Sequence, residues 1–257
     1  MYLFNRKFNR QIAINLKRCH TISVVIPTLN EEKNIYSCVL KTLFSPHVYE
    51  VVVVDGGSKD RTVELAQKAG AKVLKHCKPY HLGGGRGGQI KAGIFKASGD
   101  VVAIVHADTC VPPKAFCRMI TTLNLRSSVI GGAVGCRFRD FVGFKLRVIE
   151  FLNDARALFF NISFGDQVQF FRREPVVCYD IFPNMPLMED VEFSIRLNSF
   201  GRQVFLFGKA AVSARRWQRL GFKNSITVIL FFLNYLSLRL FNSKLDTSLF
   251  YKKYYSS

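Results

Sequence analysis

Short apolar runs alternate with amphipathic stretches along the first half of the chain. β-Branched and apolar residues fill 21–30 (TISVVIPTLN), and apolar positions at helical spacing follow through 30–44. Four consecutive valines within 48–57 suit a strand that is buried on both faces, and a glycine ends the helical pattern of 60–70. The pattern therefore predicts strand, helix, strand, helix over these four segments.

The same alternation continues through residue 108. It predicts a short strand at 71–76, a helix at 88–100 and a strand at 101–108. Strands that alternate with helices form a parallel sheet, and ligands of such open sheets bind beyond the carboxyl ends of the strands. Three polar residues are expected at that edge: Thr28, Asp55 and Asp108.

Beyond residue 113 the pattern is weaker. It predicts a helix at 114–125, a strand at 129–138 and a helix within 189–201. The segment 226–241 is apolar, but polar residues interrupt it and it is shorter than the ~20 residues that a membrane span needs. We predict there a helix that lies on the protein or on a membrane surface. Basic residues flank it: Lys223, Lys244, Lys252 and Lys253.

Composition adds a preference for anionic partners. The 257 residues are 49% hydrophobic, which is enough for a large core, and 37 Lys and Arg against 18 Asp and Glu give a formal net charge of +19. Such a charge favours nucleic acid, an anionic membrane or a phosphorylated small molecule, without choosing among them.

Cysteine usage and the amino-terminal segment indicate a cytoplasmic location. The seven cysteines are odd in number and form no C-x-x-C pair, so we expect reduced thiols. Residues 1–20 contain no acid and lack the continuous apolar segment of a secretory signal. We interpret them as a basic arm, with an organelle transit peptide as the weaker alternative.

Two acids at the predicted sheet edge each have two explanations. Asp55 ends a buried strand before a Gly-Gly-Ser turn, where its carboxylate accepts from a base N–H or a ribose hydroxyl, or else forms the turn and caps the next helix. Asp108 offers the hard oxygen that Mg²⁺ or Mn²⁺ requires beside a diphosphate. The alternative for Asp108 is a helix cap before Pro112.

Three further clusters contain charged residues. HLGGGRGGQIKAG (81–93) places Arg86 where backbone N–H groups and a guanidinium approach phosphate oxygens, although a flexible surface loop fits equally well. MEDVEFSIRL (188–197) holds three acids in one helical turn, which also suits a solvated helix start. SARRWQRLG (213–221) sets three arginines around the single tryptophan, which also suits a basic surface with one anchoring aromatic.

The order of these segments resembles the family 2 glycosyltransferases of the GT-A fold, from about Ile22 to Gly221. The matching pieces are SVVIPTLNEEKNI, VVVVDGGSKDRT, GRGGQIKAG, HADTCVP, GDQ at 165–167, MEDVEFSIRL and SARRW. HADT with the later GDQ, MED and RRW is most similar to the bacterial radical-SAM/selenodomain-associated transferase subfamily. The family's D-x-D metal motif is here His106-Ala107-Asp108, and its paired acid after the second strand is Asp55-Gly56.

The resemblance implies an α/β fold with a Rossmann-like, mostly parallel central sheet and flanking helices. The implied enzyme transfers a hexosyl group from a nucleotide-diphospho-sugar to an acceptor hydroxyl of a lipid or small molecule, with inversion and with Mn²⁺ or Mg²⁺. The implied donor half is 21–113 and the acceptor half 114–221, followed by the carboxyl-terminal helix and basic tail at 222–257. The location expected is cytoplasmic, with peripheral contact to the inner membrane face.

The resemblance also implies the site residues. The nucleotide-sugar site comprises Pro27, Thr28, Asn30, Glu31, Asp55, Gly57, Ser58, Arg86, Gln89, His106, Ala107 and Asp108. The acceptor or diphosphate site comprises Gly165, Asp166, Gln167, Arg215, Arg216 and Trp217. Asp108 would hold the metal, with His106 as a second candidate ligand. Asp190 would be the general base and Glu189 would orient it, whereas Glu192 would face away on the helix.

Two other function classes fit parts of the sequence. A nucleotidyltransferase or dinucleotide-binding oxidoreductase would use a similar sheet, but the G-x-G-x-x-G fingerprint with its following ribose-binding acid is missing. A basic nucleic-acid-binding protein would explain the net charge. Against it, the basic residues are dispersed and no RNP, zinc-finger or KH pattern is present, so we expect no nucleic-acid partner.

Overall fold

One mixed sheet organises the computed structural model, which describes residues 17–79, 84–139, 143–185, 187–214 and 222–241. Its strands are β1 (Ile22–Thr28), β2 (Val48–Asp55), β3 (Lys72–Lys75), β4 (Val101–Ile104), β5 (Val129–Phe138), β6 (Val168–Arg172) and β7 (Arg202–Val212). Their order across the sheet is β3-β2-β1-β4-β6-β5-β7. Neighbouring strands run parallel except at β6, which pairs antiparallel with both β4 and β5. The predicted mostly parallel α/β sheet is confirmed.

Helices cover both faces of this sheet. Within the described ranges they are α1 (Ile35–Leu43), α2 (Thr62–Lys68), α3 (Gly85–Lys96), α4 (Pro113–Leu125), α5 (Phe144–Phe160), α6 (Arg173–Cys178), α7 (Glu189–Asn198) and α8 (Phe222–Phe241). The alternating side chains of β1 explain the two layers, because Val24 and Ile26 join the apolar cluster on one face and Val25 joins the cluster on the other.

Two predicted helices begin at different residues in the structure. Helix α1 begins at Ile35, not at residue 30, because Asn30 adopts a left-handed backbone (φ 54°) and a turn precedes the helix. Helix α3 begins at Gly85, three residues before the predicted start, so Arg86 lies in a helical first turn and not in a free loop. The glycines of α3 allow close packing on the sheet, since a Cβ at Gly93 would lie 2.4 Å from Val25 Cγ1.

The second half contains elements that the sequence pattern did not predict. The described structure adds α5, β6, α6 and β7 between and after the predicted segments. Strand β6 lies between β4 and β5 and thereby joins the two parallel parts of the sheet, which belong to the predicted donor and acceptor halves. The predicted strand at 129–138 is confirmed as β5, and the predicted helix at 114–125 as α4.

Residues just before β1 are attached to the folded domain. The backbone of Cys19 exchanges hydrogen bonds of 2.8 Å with the side-chain amide of Asn124. The carboxylate of Asp100 accepts from the backbone N–H groups of His20 and Thr21. Residues 1–16 of the predicted arm lie outside the described residues.

Helix α8 packs one face on α7. Phe231 and Tyr235 are buried against Val191 and Ile195 in a small apolar cluster. Within the described chain, no helix is both long and apolar enough to cross a bilayer. All seven cysteines are free thiols.

Candidate active site

A cleft of about 840 Å³ lies beyond the carboxyl ends of β1 and β4, where the alternation of strands and helices predicts a ligand site. Many of the predicted site residues line it: Pro27, Thr28, Glu31, Arg86, Gln89, His106, Ala107, Asp108, Gly165, Asp166 and Asp190. The structure therefore brings the donor-half motifs and the acceptor-half motifs to one cavity.

An acid pair begins helix α7 at the wall of the cleft. The left-handed backbone of Met188 (φ 63°) turns the chain into the helix directly before Glu189 and Asp190. Asp190 lines the cleft, and its two carboxylate oxygens accept from the backbone N–H groups of Gly165 (2.6 Å) and Val191 (2.8 Å). A carboxylate has about four lone-pair positions, so these bonds leave Asp190 able to accept a further proton.

Glu189 lies behind Asp190 and is 1% exposed. Its Oε1 accepts from Arg86 Nε at 2.5 Å, and Arg86 Nη2 lies 3.7 Å from Asp190 Oδ2. Burial raises the pKa of Glu189. The positive charge of Arg86 counteracts this rise, and the negative charge of Asp190 adds to it. Its Oε2 is buried and has no hydrogen-bond partner among the residues described. Arg86 therefore balances the acid pair, and its predicted contact with a diphosphate stays a prediction.

The imidazole of His106 lies among these charges. Burial lowers its pKa to about 4, assisted by the Arg86 guanidinium and opposed by Asp108 and Asp190. The ring is therefore neutral at physiological pH. A Cβ on Gly165 would lie 2.9 Å from His106 Nε2, 3.3 Å from Asp190 Oδ2 and 3.4 Å from Arg86 Nη1. Gly165 is thus the point at which the three side chains converge.

The donor set of the cleft fits a metal ion that is shared with a ligand. Asp108 contributes a carboxylate and His106 a neutral imidazole to the lining. No group of three or more His, Cys, Asp or Glu side chains with metal-binding geometry exists in the described part of the chain. Because Mg²⁺ and Mn²⁺ in such sites take several ligands from phosphate oxygens and water, one carboxylate is compatible with this shared arrangement.

Asp55 is held in the turn that follows β2. Its carboxylate accepts from the backbone N–H groups of Gly57 (3.0 Å) and Ser58 (3.1 Å) and from Ser58 Oγ (2.5 Å), and it is 2% exposed. Ser58 Oγ also accepts from the backbone N–H of Asn30, which joins this turn to the loop after β1. Four predicted residues, Asn30, Asp55, Gly57 and Ser58, thus form a turn next to the cleft without lining it, whereas Gly56 of the same turn does line it. A direct contact of Asp55 with a nucleoside stays a prediction.

Gln89 braces the same two strands from helix α3. Its Nε2 donates to the carbonyl oxygens of Thr28 and Val54, each at 2.8 Å, at the carboxyl ends of β1 and β2. Both amide hydrogens are thereby used within the protein. Gln89 lines the cleft while it fixes the spacing of the strands that form its floor.

The predicted acceptor side contains a buried polar cluster. Asp166 Oδ2 accepts from Asn153 Nδ2 at 2.9 Å, whereas Asp166 Oδ1 is buried and has no partner within the described ranges. Burial raises the pKa of Asp166; Arg156 opposes this shift, and Asp190 adds to it. Gln167 Oε1 accepts from Arg156 Nη2 at 3.3 Å, so Gln167 supports Arg156 and does not line the cleft.

Helix α5 supplies site residues that the sequence analysis missed. Asn153 and Arg156 line the cleft, and the Arg156 guanidinium lies 3.3 Å above the ring of Phe164. The missed signal is the recurrence of polar residues at helical spacing within an otherwise apolar stretch. His76, Lys78 and Ser213 also line the cleft without having been predicted. Arg215, Arg216 and Trp217 lie outside the described residues.

Comparison with known proteins identifies the family. The sequence profile of Glycosyl transferase family 2 matches residues 23–180, more than half of the chain. The chain belongs to this family. The match covers all of the donor-side motifs and the α5 and Gly165–Gln167 segments, and it ends before the acid pair.

Individual relatives are similar over shorter stretches. An undecaprenyl-phosphate 4-deoxy-4-formamido-L-arabinose transferase from Pectobacterium atrosepticum is 34% identical over 116 residues, which is 43% of this chain and 36% of the relative. A glucosyl-3-phosphoglycerate synthase from Mycolicibacterium smegmatis is 36% identical over 108 residues, 39% of this chain and 35% of the relative. The matches thus span about a third of the length of these curated relatives.

A solved structure extends the likeness to the second half of this family 2 protein. The glucosyl-3-phosphoglycerate synthase of Mycobacterium tuberculosis, in complex with Mn²⁺, UDP and glucosyl-3-phosphoglycerate, is 25% identical. The superposition has a TM-score of 0.53 and covers 82% of this chain and 79% of the synthase. The predicted GT-A fold is confirmed.

Proposed function

We propose that this protein transfers a hexosyl group from a nucleotide-diphospho-sugar to an acceptor hydroxyl, with inversion at the anomeric carbon. The observation that supports this most directly is the cleft itself, in which the donor-half acid Asp108 and the acceptor-half acid Asp190 line one cavity. An inverting transfer needs two groups in one cavity: a site that binds the leaving diphosphate, and a base on the opposite side of the anomeric carbon.

The donor binds between the loops after β1, β2 and β4. Thr28, Glu31 and the Asp55–Ser58 turn form the nucleoside side, and the diphosphate extends towards Arg86, His106 and Asp108. Asp108 would hold the Mn²⁺ or Mg²⁺ that accompanies the diphosphate, with neutral His106 beside it. A divalent cation supplies positive charge to the departing diphosphate when bound. The Mn²⁺ of the mycobacterial synthase complex supports this assignment.

Asp190 acts as the general base. As the acceptor oxygen attacks the anomeric carbon, its proton moves to the Asp190 carboxylate, and the bond from that carbon to the diphosphate oxygen breaks with its electron pair going to the diphosphate. The backbone N–H groups of Gly165 and Val191 hold the carboxylate in place. Glu189 and Arg86 support it from behind.

The acceptor enters beside helix α5. Arg156 and Asn153 line that part of the cleft, and a cation there favours an acceptor that contains phosphate. The named relatives act on undecaprenyl phosphate or form glucosyl-3-phosphoglycerate, and both names indicate phosphorylated acceptors. We assign this protein to the cytoplasmic side of the cell, with a lipid or small-molecule acceptor, and to the radical-SAM/selenodomain-associated subfamily.

Donor binding tests the proposal. Thermal-shift and calorimetric titrations with UDP-, GDP- and dTDP-sugars, each with and without Mn²⁺, should give one donor whose binding strengthens with the metal. A donor present at a hundred times its Kd should raise the free energy of unfolding by about 2.7 kcal/mol. Asp108→Asn should lose the part of the donor binding that depends on Mn²⁺. The control Asp180→Asn removes an exposed carboxylate that pairs with Lys91 away from the cleft and should retain it. Absence of binding by every donor would contradict the proposed function.

A further inference from the structure

Helix α5 has its polar side buried and its apolar side exposed. Asn153 is 8% exposed, and the guanidinium of Arg156 donates one hydrogen bond each to Ile162, Asn153 and Gln167 inside the protein. Phe151 is 71% exposed and Phe159 is 74% exposed. A helix on a water-facing surface shows the reverse arrangement, with polar side chains outward.

Six exposed apolar side chains of α5 form one continuous stripe. We call this set the apolar stripe: Phe144, Val148, Phe151, Leu152, Leu158 and Phe159. At 3.6 residues per turn these positions fall within about 120° of the helix circumference. No member of the stripe is charged or polar. Contiguous exposed apolar surface of this kind marks an interaction site.

Helix α8 contributes further exposed apolar side chains at the same cleft. It exposes Ile229 (50%), Leu230 (59%) and Leu233 (55%) while its opposite face packs on α7. Leu152 of the stripe and Ile229 of α8 both line the cleft while about half of each side chain is exposed. The active-site cleft therefore has apolar, solvent-exposed side chains from both helices at its margin.

Contacts inside the protein hold the two helices at the same cavity. Arg156 of α5 stacks on Phe164, and Phe164 packs edge-on against Phe232 of α8 with ring centroids 5.5 Å apart. The stripe and the exposed face of α8 therefore both reach the margin of one cleft, through Leu152 and Ile229.

We propose that the apolar stripe and the exposed face of α8 dock this protein on an anionic lipid bilayer. Charge decides the occupant, because two copies of a chain with a net charge of +19 repel one another, whereas anionic headgroups attract it. Aromatic and aliphatic side chains without charge suit the boundary between headgroups and acyl chains. On the basis of the proposed function, the inference adds that the acceptor is a lipid whose polar head enters the cleft beside Leu152 and Ile229.

Vesicle flotation with the full chain tests the docking surface. The probes are vesicles of phosphatidylcholine mixed with phosphatidylglycerol, and vesicles of phosphatidylcholine alone. The test variant is the double substitution Phe151→Ser with Phe159→Ser. The matched control is Phe44→Ser with Leu125→Ser, which removes two side chains that are 83% and 79% exposed at other sites. Both variants keep the net charge, and neither changes a residue that lines the cleft.

The wild type and the control should float with the anionic vesicles, and the stripe variant should bind them at least about tenfold more weakly. Neutral vesicles should bind the wild type more weakly than anionic ones. The proposal is wrong if the wild type stays at the bottom of the gradient at low salt, or if the stripe variant floats as well as the control. Light scattering that shows a wild-type dimer, and a monomer for the stripe variant, would assign the surface to a second copy instead.

Donor binding without vesicles separates this inference from the proposed function. The stripe variant should bind the nucleotide-sugar and Mn²⁺ with the affinity of the wild type. A wild type that floats but binds no donor would refute the proposed function and leave the docking surface standing. A wild type that binds donor but does not float would refute the docking surface and leave the proposed function standing.

Discussion

The backbone N–H of Gly165 donates to Asp190 Oδ2 over 2.6 Å, across 25 positions of sequence. This bond joins the loop before β6 to the first turn of α7, and it fixes the carboxylate that faces the cleft. A charge-assisted bond from a backbone donor is among the stronger hydrogen bonds in proteins. The position of the proposed base is therefore set by two segments that are distant in the chain.

Asp190→Asn should lower kcat by about 10²–10⁴-fold, because an amide cannot take the acceptor proton. The Kd for the donor should remain near the wild-type value, since Asp190 is proposed to act on the acceptor side. Steady-state kinetics and calorimetry measure the two quantities. Wild-type turnover of Asp190→Asn combined with loss of turnover in Glu189→Gln would transfer the role to Glu189.

Gly165→Ala should reduce kcat by about tenfold or more, because small displacements of catalytic groups are costly. The added Cβ would lie 2.9 Å from His106 Nε2 and 3.3 Å from Asp190 Oδ2, so one of these groups must move. Gly99→Ala provides a control, because its Cβ would be similarly crowded, 2.8 Å from Ser23 N, at a position that does not line the cleft. Equal kcat values for the two variants would show that the convergence at Gly165 has no catalytic consequence.

Arg86→Met should destabilise the protein by about 3 kcal/mol, because it leaves the buried carboxylate of Glu189 without its partner. Glu189 is 1% exposed, so water cannot replace the guanidinium. The double variant Arg86→Met with Glu189→Gln should recover much of the free energy of unfolding, as measured by denaturant titration. If the double variant is no more stable than Arg86→Met, the ion pair is not the source of the loss.

The double variant also separates the two roles of Arg86. If Arg86 serves the acid pair alone, the restored protein should bind the donor diphosphate like the wild type. If Arg86 also contacts the diphosphate, donor affinity should remain reduced in the stable double variant. Calorimetric titration with the nucleoside diphosphate distinguishes these outcomes.

The first half of the fold was predictable because its signals are local. Four consecutive valines indicate the buried strand β2, and the glycine after α2 marks its end, without reference to the rest of the chain. Asp108 and Asp190 lie within motifs that resemble those of a known family, and both line the cleft. The sequence pattern within 189–201 likewise predicted helix α7.

The second half was less predictable because its signals depend on tertiary contacts. Helix α5 buries Asn153 and exposes Phe151, so its pattern contradicts the rule that apolar side chains lie inside. Strand β6 has only five residues and lies between two other strands, so its place in the sheet depends on partners that are distant in sequence. Glu192 illustrates the limit most clearly, since its partners Tyr235 and Arg239 lie more than 40 positions away.

Tyr235→Phe should destabilise the protein by about 1.5–3 kcal/mol, the usual contribution of a hydrogen bond to a charged group. Tyr235 Oη donates to Glu192 Oε2 at 2.6 Å and is buried. Burial alone would raise the pKa of Glu192, but hydrogen bonds from Arg239, Tyr235 and Arg196 lower it below its usual value. Loss of one donor therefore leaves an ionised carboxylate less well satisfied.

The control for this change is Tyr179→Phe, which removes a hydroxyl from a side chain that is 47% exposed. Denaturant titration should give a clear difference between the two variants. Equal stability would mean that α8 is held by its apolar contacts alone and that the Glu192 cluster adds little.

His106→Gln should flatten the dependence of stability on pH between about 6.5 and 4. Burial, with the Arg86 charge, lowers the pKa of His106 to about 4 in the folded protein, whereas the unfolded chain takes up the proton near its ordinary value of 6.5. The unfolded state therefore binds more protons throughout this window, and the free energy of unfolding falls as the pH falls, by at most about 1.4 kcal/mol per pH unit.

Glu189 and Asp166 have raised pKa values and act in the opposite direction, because the folded state binds their protons first. Subtracting the curve of His106→Gln from that of the wild type removes those shared contributions to first order. The difference should be constant above pH 7 and change steadily between about pH 6.5 and 4, as measured by denaturant titrations at a series of pH values. His20→Gln, which replaces an exposed histidine, controls for the loss of a histidine as such. A difference curve that stays flat from pH 7 to 4 would show that His106 does not remain neutral among Arg86, Asp108 and Asp190, and the neutral imidazole at the proposed metal site would have to be abandoned.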